Sequence, residues 1–211
     1  MDKKQKLAEI AAEVMKCQKC PLYKNTNHSV PGEGNPDAKV MFIGEGPGYH
    51  EDQEGRPFVG QAGKLLDKLI KSIGLKRTDV FIGNVVKHRP PGNRDPQPQE
   101  IEACREYLDE QINIIDPEII ATLGRFSMNK FLPNEFISKT HGQARFVEIL
   151  GKRRIVIPMY HPAAALRSGQ VMIDLKNDFQ KIKKFLNKEE IKEESAFAEA
   201  SADDTQLSLI N

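Results

Sequence analysis

Short apolar runs that stop at a turn or a glycine, with stretches of helical spacing between them, recur along this chain and leave few folds open to it. Residues 39–43 (KVMFI) run apolar into Gly44 and predict a buried strand. Residues 80–86 read as a second strand, and residues 119–123 as a third, closed by Gly124. Between them, 61–74 place Ala62, Leu65, Leu66, Leu69 and Ile70 on one helical face, and 97–115 form a longer helix. A helix at 3–16 carries Leu7, Ile10, Ala11, Val14 and Met15 at the same spacing. A short helix at 125–132, two further strands at 145–150 and 154–159, and a lysine-rich helix at 171–187 complete the pattern. Such alternation predicts an α/β fold, a three-layer α/β/α sandwich around a central, mostly parallel four-stranded sheet. In sheets of this kind ligand sites gather in loops beyond the carboxyl ends of strands. Here those loops begin at Gly44, Lys87 and His161.

With 211 residues, 39% hydrophobic and 29% charged, the chain supports one sizeable core and too little for two ordinary domains. Residues 1–187 are expected to form that domain, and 188–211 an acidic, disordered tail. Seven acids against two lysines give the tail a net −5, which leaves +6 on residues 1–187 out of a total of +1. A mildly basic body is compatible with nucleic acid but does not prove it. No apolar run approaches the roughly 20 residues of a membrane helix, and the charged, amphipathic start lacks the apolar block of a signal peptide. Three cysteines cannot all pair with one another, so thiols or metal ligands are expected in place of a disulfide scaffold. The expectation is a cytoplasmic monomer.

The loop 44–60 concentrates the chemistry. Its start, Gly44-Glu45-Gly46-Pro47-Gly48, lets backbone approach a ligand closely, although such a turn alone is common. Glu45 and Glu51 supply carboxylates, Phe58 an aromatic face, and Gly55-Arg56-Pro57-Phe58-Val59-Gly60 closes the loop. Asn84 stands at a strand end, where capping a turn is the ordinary role. Farther along come Arg89-Pro90-Pro91-Gly92-Asn93-Arg94 and His161-Pro162-Ala163-Ala164-Ala165-Leu166-Arg167.

Taken in order, these strings resemble the uracil-DNA glycosylases, most closely the family 4 enzymes that carry an iron–sulfur cluster. The resemblance spans about residues 5–187. It implies removal of uracil from DNA to leave an abasic site, as in base excision repair, and it implies roles for individual residues. His161 donates to uracil O2 as negative charge develops on the leaving base. Phe58 stacks on the flipped base. The Asn84 amide accepts from N3–H and donates to O4, a pattern that cytosine reverses. Glu51 stands near C5 as the wall against thymine, and Gly46 belongs to the uracil-binding loop. Best-known single-domain relatives carry an aspartate where this chain has Gly46, so activation of water falls to Glu45 or gives way to leaving-group stabilisation. Leu166 or Arg167 fills the gap left by the flipped base, while Lys87, Arg89 and Arg94 are candidates for phosphate contacts. Two rival readings remain: a relative with another base preference, and a non-catalytic DNA-binding or redox-sensing iron–sulfur protein.

The same resemblance implies four cysteine ligands for a [4Fe–4S] cluster. Cys17, Cys20 and Cys104 match three of them, and His88 occupies the fourth position. A Cys₃His four-iron cluster, a three-iron or labile four-iron cluster without His88, and a tetrahedral zinc site all fit that set. Finally, Gln206-Leu207-Ser208-Leu209-Ile210 resembles the short motif by which bacterial repair proteins dock on the sliding clamp, with Ile210 where phenylalanine is usual.

Overall fold

Four parallel strands carry the structure, and each ends at the same edge of the sheet. The computed structural model describes residues 2–187. The acidic tail and its clamp-like motif at Gln206, Leu207, Leu209 and Ile210 lie outside the described residues. Strands β2 (Val40–Gly44), β3 (Phe81–Asn84), β4 (Ile119–Leu123) and β6 (Lys152–Met159) form the parallel centre in the order β3-β2-β4-β6. Two antiparallel edges extend the expected four strands to six. Strand β1 (Glu33–Gly34) pairs with β3, and β5 (Arg145–Ile149) pairs with β6.

Alternate residues of each central strand feed two separate cores. Val40 and Phe42 face one side with Leu66, Ile70, Phe179 and Ile182; Met41 and Ile43 face the other with Leu108, Ile112 and Met128. Both faces are therefore covered, which is why the strands read as unbroken apolar runs. On the first face lie α3 (Gln61–Ser72), α7 (Pro162–Ala165) and α8 (Gly169–Leu186). The Phe42 and Phe179 rings stack there at 5.5 Å. The second face carries α4 (Pro98–Ile115) and α5 (Arg125–Phe131), with α6 (Ile137–Thr140) following. Helix α1 (Lys3–Met15) packs on α4 through Ile10, Val14, Cys17 and Tyr107. No helix among the described residues is long and apolar enough to cross a membrane.

One segment departs from the expected loop. Within 44–60 the chain forms α2 (Tyr49–Glu54). The carboxylate of Glu51 accepts the Gly48 N–H at 3.1 Å and so caps the helix from its third position. Asp52, fully buried on the same helix, accepts from the Asn27 backbone and side-chain amides at 2.8 and 2.7 Å and fastens the preceding loop.

Candidate active site

A cavity of about 440 Å³ opens at the carboxyl edge of the four parallel strands, lined by Glu45, Gly46, Glu51, Phe58, Asn84 and His161 among others. Every expected catalytic or uracil-binding residue thus meets in one place. The strands explain the convergence. Glu45 and Gly46 follow β2, Asn84 ends β3, and His161 follows β6 after one residue.

Parallel pairing sets Gly44 opposite Asn84. A Cβ on Gly44 would sit 2.4 Å from Asn84 Oδ1 and 2.6 Å from Phe58 Cζ, so the two side chains close over bare backbone. Asn84 is buried, and its Oδ1 has no hydrogen-bond partner. A buried amide oxygen left unpaired costs free energy, and a ligand N–H would recover it. Its backbone carbonyl accepts from Lys87 Nζ at 3.0 Å, and the same ammonium donates to Gln111 Oε1 at 2.8 Å. Lys87 is wholly buried, and that burial brings its ammonium down to about 8. The expectation that Lys87 contacts phosphate is therefore corrected: this lysine faces inward and fixes the turn that carries Asn84.

Phe58 takes a left-handed backbone, φ 52°, unusual for a bulky side chain. Arg77 secures it. The guanidinium donates to the Pro57 and Phe58 carbonyls and is itself held by Glu33 and Asp67 at 2.9 and 2.8 Å. Helix α3 makes room for this turn only because Gly63 lacks a side chain; a Cβ there would lie 1.8 Å from the Phe58 oxygen. The Phe58 ring then faces His161, centroids 5.6 Å apart and planes 28° from parallel.

His161 Nδ1 accepts the Ala163 N–H at 3.1 Å, which places the neutral ring's proton on Nε2. Burial pushes the imidazole down to about 4, with Arg167 acting in the same direction and Glu51 opposing. The group at the cavity is therefore a neutral N–H donor at neutral pH. Glu51 is held rigidly, its Oε1 accepting from Val59 and Gly60 N–H at 2.9 and 3.0 Å. The half-buried carboxyl of Glu45 titrates above its ordinary range because of burial, reinforced by Asp95 and opposed by Arg125.

Around the mouth, Leu166 is an exposed apolar side chain, Arg167 lines the cavity, and Arg89 donates to Asn93 Oδ1 at 2.7 Å. Arg94 also lines the cavity, but buried Glu100 grips it at 2.6 and 2.9 Å. Sequence reasoning missed Arg77 and the inward role of Lys87. Their partners lie up to 44 residues away, and no local pattern announces them.

Away from the cavity, Cys17, Cys20, His88 and Cys104 are all buried, and the three cysteines are free. Burial pushes the Cys104 thiol up to about 11, and the neighbouring Cys20 and Cys17 push the same way. His88 Nδ1 is buried without a partner. Among the described residues, no group of three or more histidine, cysteine or acidic side chains is placed so as to hold a metal ion. Three free thiols and an unpaired imidazole are nonetheless the donor chemistry of a cluster or zinc centre, so these residues fit such a group.

Comparison with known proteins agrees with this geometry. Residues 31–188 match the family model described as the uracil DNA glycosylase superfamily. A type-4 uracil-DNA glycosylase of Saccharolobus solfataricus is 52% identical over 188 residues, covering 86% of this chain and 87% of the relative. One from Archaeoglobus fulgidus is 46% identical over 87% of this chain and 95% of its own length. Another, from Thermotoga maritima, is 44% identical over 88% and 98%. The chain belongs to the uracil DNA glycosylase superfamily.

A neutral His161 has a direct signature. In the folded protein its ring resonances are expected to stay unchanged from pH 8 to 5 and to shift only as pH falls towards about 4, where protonation displaces the Ala163 N–H. A titration near the ordinary histidine value of about 6.5 would contradict this assignment.

Proposed function

We propose that the protein is a uracil-DNA glycosylase, hydrolysing the N-glycosidic bond of deoxyuridine in DNA to release uracil and leave an abasic site. The observation that carries this reading is the buried, unpaired Asn84 Oδ1 in one cavity with a neutral His161 and the Phe58 face. Deoxyuridine turns out of the stack, its base lies against Phe58, and Leu166 or Arg167 takes its place. Asn84 Oδ1 accepts from uracil N3–H while the amide NH₂ donates to O4. Cytosine offers neither partner and leaves both groups unpaired, an effect worth ~10⁴-fold or more at a site built around such bonds.

His161 Nε2–H donates to uracil O2. As the N1–C1′ bond breaks, its electron pair leaves with the base, and the bond to O2 strengthens with the growing negative charge. A neutral donor keeps its proton on the enzyme, so uracil departs as an anion. Water adds to C1′ of the sugar cation, and the Glu45 carboxylate, whose pKa burial raises and so makes a better proton acceptor, takes the water proton. Glu51, fixed by three backbone amides, bounds the pocket where a thymine methyl would fall.

Cys17, Cys20, Cys104 and His88 are the residues that would hold an iron–sulfur cluster. Bound there, the cluster would supply a structural tie between the end of α1 and the segment after β3, because glycosidic hydrolysis transfers no electrons.

Three outcomes test this reading. An oligonucleotide with one uracil should remain intact after treatment with the protein alone and be cut at the resulting abasic site once alkali is added. Asn84→Asp should abolish that excision or narrow the uracil-to-cytosine ratio by at least about tenfold; an unchanged ratio removes Asn84 from base reading. Anaerobically purified protein should be brown, with iron and sulfide in near-equal amounts, and His88→Ala should make the colour more labile while His88→Cys restores it. Stoichiometric zinc without sulfide would contradict the cluster assignment.

A further inference from the structure

The cavity mouth has two rims. One carries Leu166 and Arg167, which the proposed function already uses. The other carries Tyr49, the first residue of α2, whose side chain is 55% exposed and so contributes little to packing. It is nonetheless held in place. The Arg89 guanidinium lies over its ring at 5.2 Å, and Arg89 Nε is itself fixed by Asn93 Oδ1 at 2.7 Å. The His50 ring meets it edge-on at 5.4 Å. Its chain neighbour Gly48 lines the cavity, as do Pro90 and Asn93 beside Arg89.

An exposed aromatic ring backed by a cation, at the entrance of a pocket that takes one nucleobase, is the chemistry of single-strand recognition. Bases stack on such rings whatever their identity, and the cation serves both the ring and a nearby phosphate. A base still paired in a duplex is committed to its own stack and cannot lie on Tyr49. We infer that Tyr49, backed by Arg89, is a stacking platform for the unpaired nucleobase beside the flipped uracil, favouring substrates that are single-stranded next to the lesion. This rests on the uracil-glycosylase reading and adds a contact outside the uracil pocket.

The test is a cycle between side chain and substrate. Excision is followed on single-stranded oligonucleotides whose uracil is flanked by ordinary bases, or by an abasic analogue on one side or the other. Tyr49→Ala should raise KM on the ordinary substrate by about 5- to 150-fold, the range of one base–aromatic stack, with the effect on KM rather than kcat. Tyr49→Phe should retain most of the affinity. Removing the base on one particular side should cost the unmodified protein the same factor and cost Tyr49→Ala nothing more. Equal losses for the two proteins on that substrate, or no effect of Tyr49→Ala on any substrate, would overturn the platform alone. No excision by the unmodified protein would overturn the uracil reading, and the platform with it.

Discussion

The parallel register of β2 against β3, with Gly44 opposite Asn84, is the contact on which the site depends. Parallel strands place their carboxyl ends along one edge, and here that edge presents backbone without a side chain at Gly44. Asn84 from one strand and Phe58 from the following loop close over it. Shifting the pairing by one residue would turn Asn84 to the opposite face of the sheet. The apolar alternation that fills both cores therefore also brings the Asn84 amide to the cavity.

Around that contact the chain spends polar groups on rigidity. Lys87 is buried whole so that its ammonium can hold the Asn84 carbonyl and Gln111. Arg77, between Glu33 and Asp67, holds the left-handed turn at Phe58. Glu51 places both carboxylate oxygens on backbone amides. His161 is fixed through Nδ1 and presents a neutral Nε2–H. A pocket arranged in this way does not need to reorganise as charge moves onto the departing base, which is the condition for strong electrostatic stabilisation.

The central strands were legible in the sequence because burial on both faces leaves an unbroken apolar run; the candidate site residues came from the resemblance, and they converge on one cavity because they stand at strand ends. Glu45, Asn84 and His161 are local to those ends. The features that escaped depend on distance or on small size. Strand β1 is two residues long in a Pro- and Gly-rich stretch, too short for any period. Helix α2 is six mostly polar residues between glycines, stabilised by Glu51 and Asp52 through bonds to other segments. Lys87 sits in a charged string, Lys87-His88-Arg89, that reads as a basic patch; only the fold shows that one cation turns inward while Arg89 remains at the surface.

The central claim is that uracil is read where Asn84 and Phe58 close over a bare Gly44. Gly44→Ala tests it most directly, because the added Cβ meets both side chains at 2.4 and 2.6 Å while the strand keeps its backbone. Single-turnover excision of uracil, measured beside the variant's circular dichroism and its affinity for uracil-free DNA, separates the site from the fold. The account predicts a fall in excision of at least about 100-fold, the scale expected when reacting groups are misplaced by an ångström, with spectrum and DNA affinity preserved. Excision at the unmodified rate by a folded Gly44→Ala protein would contradict it.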